Sequence, residues 1–223
     1  MLEPLRITAY LQSPVICDDR LPLDGVLFYF LAREQFGFQP SDRLKITVDQ
    51  VGLQDVLKKR WVNVGDRDYW FYSCSFARWV GVVSEGRDHW TKRFDSKLAG
   101  LVDFRGKRGR VITQNGKYKG YRMPVYSRHA LAVRWYAVGR QGEIERLLSH
   151  CTNLGKKESQ GYGAILRWEV EGWPQDWSTE SPLGLMRALP AETGVFSAFR
   201  PSYWAPENQT TCQLPENYAD FPA

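Results

Sequence analysis

The sequence predicts an α+β protein with a ferredoxin-like (RRM-like) βαββαβ core, a basic hairpin or thumb-like insertion and an irregular C-terminal extension. Three observations lead there. Segments of alternating polarity and of helical periodicity follow one another as strand, helix, strand, strand, helix, strand. A central stretch loses that periodicity and fills with glycine and cations, and the end of the chain is crowded with proline and tryptophan. With 223 residues, 43% hydrophobic and 14% aromatic, the chain is long and apolar enough for a packed core, in one large domain or two small ones.

The first strand is "LRITAYLQ", where Leu5, Ile7, Ala9 and Leu11 alternate with Arg6, Thr8, Tyr10 and Gln12. In "LPLDGVLFYFLAREQFG", Asp24 can cap a helix, Leu27, Phe30 and Leu31 form its stripe, and Gly37 can end it. That helix is apolar on several sides and should sit deep against a sheet. "RLKITVDQ" offers a spare short strand through Leu44, Ile46 and Val48. "DYWFYSCSFARWVG" reads as one longer strand with Trp70, Tyr72, Cys74 and Phe76 on a face.

From Val83 to Tyr126 the pattern changes. "FRGKRGR" and "TQNGKYKGYR" carry the cations, and Asn115-Gly116 is a hairpin-turn signal between "RVITQ" and "KYKGYRM". Alternation resumes in "HALAVRWYAVG", with Leu131, Val133, Trp135 and Ala137 on one side. "GEIERLLSHCTN" spaces Ile144, Leu147, Leu148 and Cys151 as a helix, and "AILRWEV" is the last core strand. Past Gly172 the chain reads as turns plus a short strand at "GVFSAFR". Residues 1–83 and 127–200 are expected to form one domain, with 84–126 as the insertion and 201–223 as a tail.

The net charge is +5, but it is concentrated: between Arg105 and Arg140 stand ten Lys/Arg and no Asp or Glu. Such a window points to a polyanionic partner, chiefly nucleic acid, with a solvated basic loop as the plain alternative. The four cysteines show no C-x-x-C spacing, so neither a zinc site nor a disulfide framework is expected, and no cofactor. The start "MLEPLRITAY" lacks an apolar stretch behind a basic end, and no run of 18 apolar residues exists. A cytoplasmic protein with reduced thiols, without membrane contact, is expected.

The stretch "TNLGKKESQGYGAI" (Thr152 to Ile165) holds the strongest candidate site. A Walker loop needs four residues between its glycine and G-K-[ST], but five separate Gly155 from Gly161. A dinucleotide fingerprint needs a third glycine where Leu166 stands. Both those loops leave a strand and enter a helix whose N-terminus holds the phosphate; this one leaves a helix and enters a strand. What remains is a glycine loop able to approach a phosphate, with Lys156 and Lys157 adding charge, Ser159 and Gln160 as donors and Tyr162 as a stacking face. The competing reading is a helix C-cap at Gly155 followed by tightly packed glycines.

G-x5-G-x-G, after the second helix and opening the last core strand, resembles the glycine-rich loop of the RAMP superfamily of CRISPR proteins. "ITAYLQSPVICDDRLPLDGVLFYFL" resembles their beginning, with its L-D-G-hydrophobic helix. "SPLGLMRALP" is similar to the R-[PA]-[LI]-P segment of the Cas-five-like subunit of type IV CRISPR effector complexes. Asn153 departs from that pattern, standing where the fuller motif has a further glycine.

The resemblance implies an RNA-binding subunit of a ribonucleoprotein for antiviral defense. It would hold the 5′ handle of the CRISPR RNA (crRNA) and cap a multisubunit interference complex directed against foreign DNA such as plasmids. Cas-seven-like backbone subunits would be partners, and target DNA would be met through the complex. By matching motif, Gly155, Gly161 and Gly163 would contact RNA, with Lys156 and Lys157 beside them. The basic insertion would be the thumb, with Arg105, Lys107, Arg108, Arg110, Lys117, Tyr118, Lys119, Arg122 and Arg128 as contacts. Cations interleaved with Tyr118, Tyr121 and Tyr126 suit single-stranded RNA on physical grounds alone.

The rival reading is a metal-independent endoribonuclease that processes CRISPR repeat RNA. It needs a base near a 2′-OH and a cation at the phosphate. Of His89, His129 and His150, only His129, close in sequence to Arg128, Lys117 and Tyr118, is a credible candidate; His150 reads as structural. A DNA-binding regulator is disfavoured because no helix carries the basic residues.

Overall fold

A computed structural model of the chain describes residues 1–37, 46–103 and 109–218. It is an α+β structure, with mostly antiparallel sheets and two α-helices among the described residues. The main sheet has four antiparallel strands in the order β4 (Arg78–Lys92), β5 (Tyr121–Gly139), β1 (Glu3–Leu11), β6 (Ile165–Gly172). Helix α1 (Leu23–Phe36) follows β1, and α2 (Gln141–Leu148) joins β5 to β6.

The alternation read in the sequence sets the faces. Leu5, Ile7 and Ala9 of β1 and Val133, Trp135 and Ala137 of β5 are buried in one cluster with Leu27 and Leu31 of α1 and Ile144, Leu147 and Leu148 of α2. The Trp135 indole is fully buried and donates to the Leu21 carbonyl at 3.0 Å, so its polar atom is not left unpaired. Helix α1 is buried on most sides, as its composition requires, with Leu23, Leu27, Phe28, Phe30, Leu31 and Ala32 all inside. Gly37 ends it in the left-handed conformation and donates to Arg33 O at 3.0 Å.

Four sequence expectations change. The N-cap of α1 is Pro22, so Asp24 falls inside the first turn, fully buried. There it meets the Arg187 guanidinium (3.4 Å) and the Tyr203 hydroxyl (2.7 Å), partners no local pattern reveals. Leu44 lies outside the described residues, and Val48 opens a 3₁₀ turn, Val48–Gln50, instead of a strand. Thr47 and Gln50 form a reciprocal capping box there, which outweighs the short alternation.

The long strand expected over "DYWFYSCSFARWVG" is broken. Its first part, β3 (Arg67–Tyr72), pairs with β2 (Lys59–Val64) around Gly65-Asp66, a hairpin signal that the sequence reading passed over. Ser73–Ala77 then crosses to the edge of β5, through Cys74 opposite Ala137 and Ser75 N–H to Tyr136 O at 2.8 Å. Finally, "RVITQ" forms no strand, and Asn115-Gly116 leads into a 3₁₀ turn, Gly116–Tyr118. The central hairpin is built from β4 and β5 themselves, which pair from Arg78/Arg134 out to Lys92/Tyr121.

The C-terminal segment adds two short pairs: β7 (Glu180–Ser181) with β8 (Gly184–Leu185), and β9 (Leu189–Ala198) with β10 (Gln209–Gln213). Phe71, Phe76, Ala188, Phe199 and Cys212 form a second apolar cluster there.

Candidate nucleic-acid interface

The glycine loop is built on the segment that follows β1. Lys156 N–H donates to Ile16 O (2.7 Å), Gly163 N–H to Pro14 O (2.7 Å), and Ala164 N–H to the Ser13 hydroxyl (2.9 Å). Val15 in turn exchanges two backbone bonds with Arg128 of β5, each 2.9 Å. The loop, the post-β1 segment and the β4–β5 hairpin therefore form one stack.

That stack assigns the glycines different work. Gly155 and Gly163 have φ of +81° and +72°, and a Cβ on either would overlap a carbonyl, Ile16 O or Leu154 O respectively. These two are glycine because backbone passes against backbone. Gly161 (φ +85°) has open space where its Cβ would go. Helix α2 ends at Leu148 with Ser149 as its C-cap, so Gly155 is not the cap. The Lys156, Gln160, Gly161 and Gly163 amides all donate within the protein. The loop's outward groups are then the side chains of Lys156, Glu158, Ser159 and Gln160, all exposed, so one carboxylate stands among the donors.

Two contacts tie the loop to the outer part of β4. The Tyr162 hydroxyl donates to Asp88 Oδ2 at 2.8 Å, and Lys157 Nζ lies 3.4 Å from the centroid of the Trp90 ring. The Trp90 ring meets Tyr121 edge-on at 5.0 Å. The hydrogen bonds from Tyr162 and the His89 amide hold the Asp88 carboxyl below the ordinary range. Asp88, Trp90 and Tyr121 were not among the residues named from the sequence, except Tyr121 as an interleaved aromatic. Pairing of β4 with β5 continues past Val83 out to Lys92 and brings Asp88 and Trp90 to the loop, in a stretch without hydrophobic alternation to mark it.

Beyond this junction the hairpin carries the cations. His89, Lys92, Arg93, Tyr121 and Arg122, with the Asp88 carboxylate among them, line a recess of about 680 Å³. Exposed Lys117 and Lys119 flank Tyr118, which packs on Phe94 at 4.9 Å, and the Lys92 ammonium donates to Lys117 O at 3.0 Å. Arg110 is exposed nearby in sequence. Arg105, Lys107 and Arg108 lie outside the described residues.

Arg128 differs from these: it is held by Asp19 and Glu85 and lies 4.7 Å over the Trp79 ring. A cavity of about 820 Å³ is lined by residues of α1 and of the glycine loop, with Asp18, Arg20, Arg33 and Glu158 among them.

All three histidines are exposed. His150 reaches Glu34 at 3.7 Å. His129 stands opposite Ser84 in the β4–β5 register, whereas Lys117 and Tyr118 lie beside Lys92, at the far end of the same ladder. The closeness of these three in sequence is undone by the length of the strand between them.

The cysteines are free thiols. Burial pushes Cys17 and Cys151 up to about 12 and Cys212 to about 11, which leaves them almost wholly protonated near neutral pH. Among the described residues no group of three or more His, Cys, Asp or Glu could hold a metal ion, and no helix is long and apolar enough to cross a membrane.

The family model for CRISPR type IV associated protein Csf3 matches residues 3–215. The chain belongs to that family. No curated protein matches it. Membership makes it a type IV CRISPR-associated protein of the RAMP-like class and implies a subunit of a type IV effector complex, with other subunits as partners. The matched span covers the glycine loop and the hairpin, and also both segments that carried the resemblance, "LDG" at Leu23–Gly25 and "RALP" at Arg187–Pro190. Those two meet in the interior: Arg187 is fully buried and donates to Cys74 O (3.0 Å), Phe199 O (2.5 Å), Tyr72 O and the Asp24 carboxylate.

Proposed function

We propose that this Csf3 family member holds the 5′ handle of a CRISPR RNA and caps a type IV effector complex. The handle would lie along the glycine loop and the cationic β4–β5 hairpin. The observation that carries this reading is the convergence of the two. Segments about seventy residues apart in sequence meet at Tyr162–Asp88 and Lys157–Trp90, and the exposed cations continue outward from that point. A surface of exposed lysine and arginine with half-exposed aromatic rings fits a single strand, bound by phosphate contacts and stacking.

The strand order β4-β5-β1-β6, with a helix in each of the two crossovers, supports a ferredoxin-like core. The same reading makes the hairpin a thumb that touches Cas-seven-like backbone subunits and leaves target DNA to the assembled complex, in the cytoplasm.

The test is RNA binding by the full chain across a salt series. Lys156→Ala and Lys157→Ala should each weaken binding of a repeat-derived RNA and flatten the log–log salt slope by about 0.7 for each phosphate no longer neutralised. RNA copurified from the native host should share a 5′ end joined to varied spacers. Unchanged slopes in both folded variants, or copurified RNA without a common end, would overturn the reading.

A further inference from the structure

We propose that the β2–β3 hairpin is a second binding site for single-stranded nucleic acid, with Trp61 as its stacking platform. The ladder pairs Lys59 with Tyr72 and Trp61 with Trp70, so these four side chains share one face of the hairpin. On that face Trp70 is already occupied. The Lys59 ammonium lies 3.8 Å from its ring centroid and the Arg200 guanidinium 4.1 Å, while Tyr72 packs on it edge-on at 5.5 Å. Arg200 is itself fixed by Asn208 at 2.6 Å. Trp61, the next rung, stays 63% exposed, with Lys59 Nζ 5.6 Å from its ring.

An indole held beside the Lys59 ammonium offers a base a π-face and its phosphates a charge, the combination used for single strands. Lysine is depleted at protein–protein interfaces, so the Lys59–Trp61 pairing favours an anionic strand as occupant.

This site is separate from the glycine loop. Lys58 N–H bonds Val138 O near the end of β5, whereas the loop stack meets β5 at Arg128. Roughly ten strand residues at about 3.3 Å each lie between them. It goes beyond the handle reading and does not depend on it.

The experiment uses the full chain carrying Lys156→Ala and Lys157→Ala, to weaken the first site, and 20-nucleotide oligo(dT) and oligo(U) as probes. Binding is read by anisotropy and by quenching of tryptophan fluorescence. Adding Trp61→Ala should weaken binding of at least one probe by about 5- to 150-fold, the range for one stacked base, and remove most of the quenching. Trp61→Phe should keep most of the affinity, which separates stacking from a folding defect. The stronger probe identifies whether DNA or RNA is the source. Equal affinities for both probes with and without Trp61, or protection of Trp61 in the assembled complex by another protein subunit, would overturn the proposal.

Discussion

Two junctions in this molecule each join distant segments through a charged side chain, and they differ in burial. At one, Arg187 from the "RALP" segment enters the interior and meets Asp24 of α1, both fully buried. At the other, Lys157 and Tyr162 of the glycine loop meet Trp90 and Asp88 of the hairpin at the surface. In the first, every contact is made within the chain, and burial raises the Asp24 carboxyl against the opposing pull of Arg187 and Tyr203. In the second, water can replace each contact, so a ligand can as well. Both lie in segments that resemble the family, yet only the second has chemistry left for a partner.

The largest effect that sharpens this contrast comes from Asp24→Ala. It leaves the Arg187 guanidinium buried without its carboxylate and should cost about 3–5 kcal/mol of stability, read from urea unfolding. Asp24→Asn keeps an oxygen for Tyr203 and should cost less. In whatever folds, repeat-RNA affinity should be unchanged; a specific loss of affinity at full stability would make this junction part of the interface and break the contrast.

The glycines come next. Gly161→Ala carries only the left-handed backbone cost, about 1–2 kcal/mol, because its Cβ meets nothing. Gly163→Ala adds a clash with the Leu154 carbonyl and should lower the melting temperature clearly further. Equal effects would mean that the loop gives way at Gly163, and that the stack on Pro14–Ile16 is not rigid.

His129→Ala should have little effect on either junction. We expect no site-specific, metal-independent cleavage of repeat RNA by the native chain, with bound RNA recovered intact. A general base supplies about 10²–10⁴-fold in rate, so single-site cutting that survives a chelator and falls by that factor in His129→Ala would establish the nuclease reading instead.

The smallest effect is a titration. Asp88 is held low by the Tyr162 hydrogen bond. Its contribution to docking the loop is therefore present above the carboxylate's unfolded value and is lost as pH falls through the lowered folded value. Tyr162→Phe should move Asp88, followed by NMR, back up toward 3.8. No movement would mean that the loop is not docked there in solution.

Much of the fold was legible because it rests on local periodicity. Alternation in "LRITAYLQ" and "HALAVRWYAVG" and the i, i+3, i+4 spacing in "GEIERLL" give β1, β5 and α2 with their buried faces. The errors have a common physical origin. "DYWFYSC" alternates whether it pairs with β2 or β5, so its pattern cannot reveal where the chain changes partners. The outer hairpin arms are solvated on both sides, and their strands carry little hydrophobic alternation to detect. Asp24 suits a helix start wherever it stands, and only a partner 163 residues away draws it inside.

The candidate site divides the same way. Composition alone marks a cationic stretch and a glycine-rich loop, because charge and glycine are properties of residues. Which lysines face outward is a property of the stack. Pairing with Asp19 and Glu85 takes Arg128 out of the exposed set, Lys157 is drawn onto Trp90, and Gly155 and Gly163 are consumed by backbone packing. The sequence by itself determined β1, α1, β5, α2 and β6, their order and the sign of the charge, since each depends on neighbours a few residues away. Only the tertiary structure decided that the glycine loop touches the hairpin and that Asp24 meets Arg187. Such contacts depend on which strands pair, and pairing is set by burial of whole faces, not by any one segment.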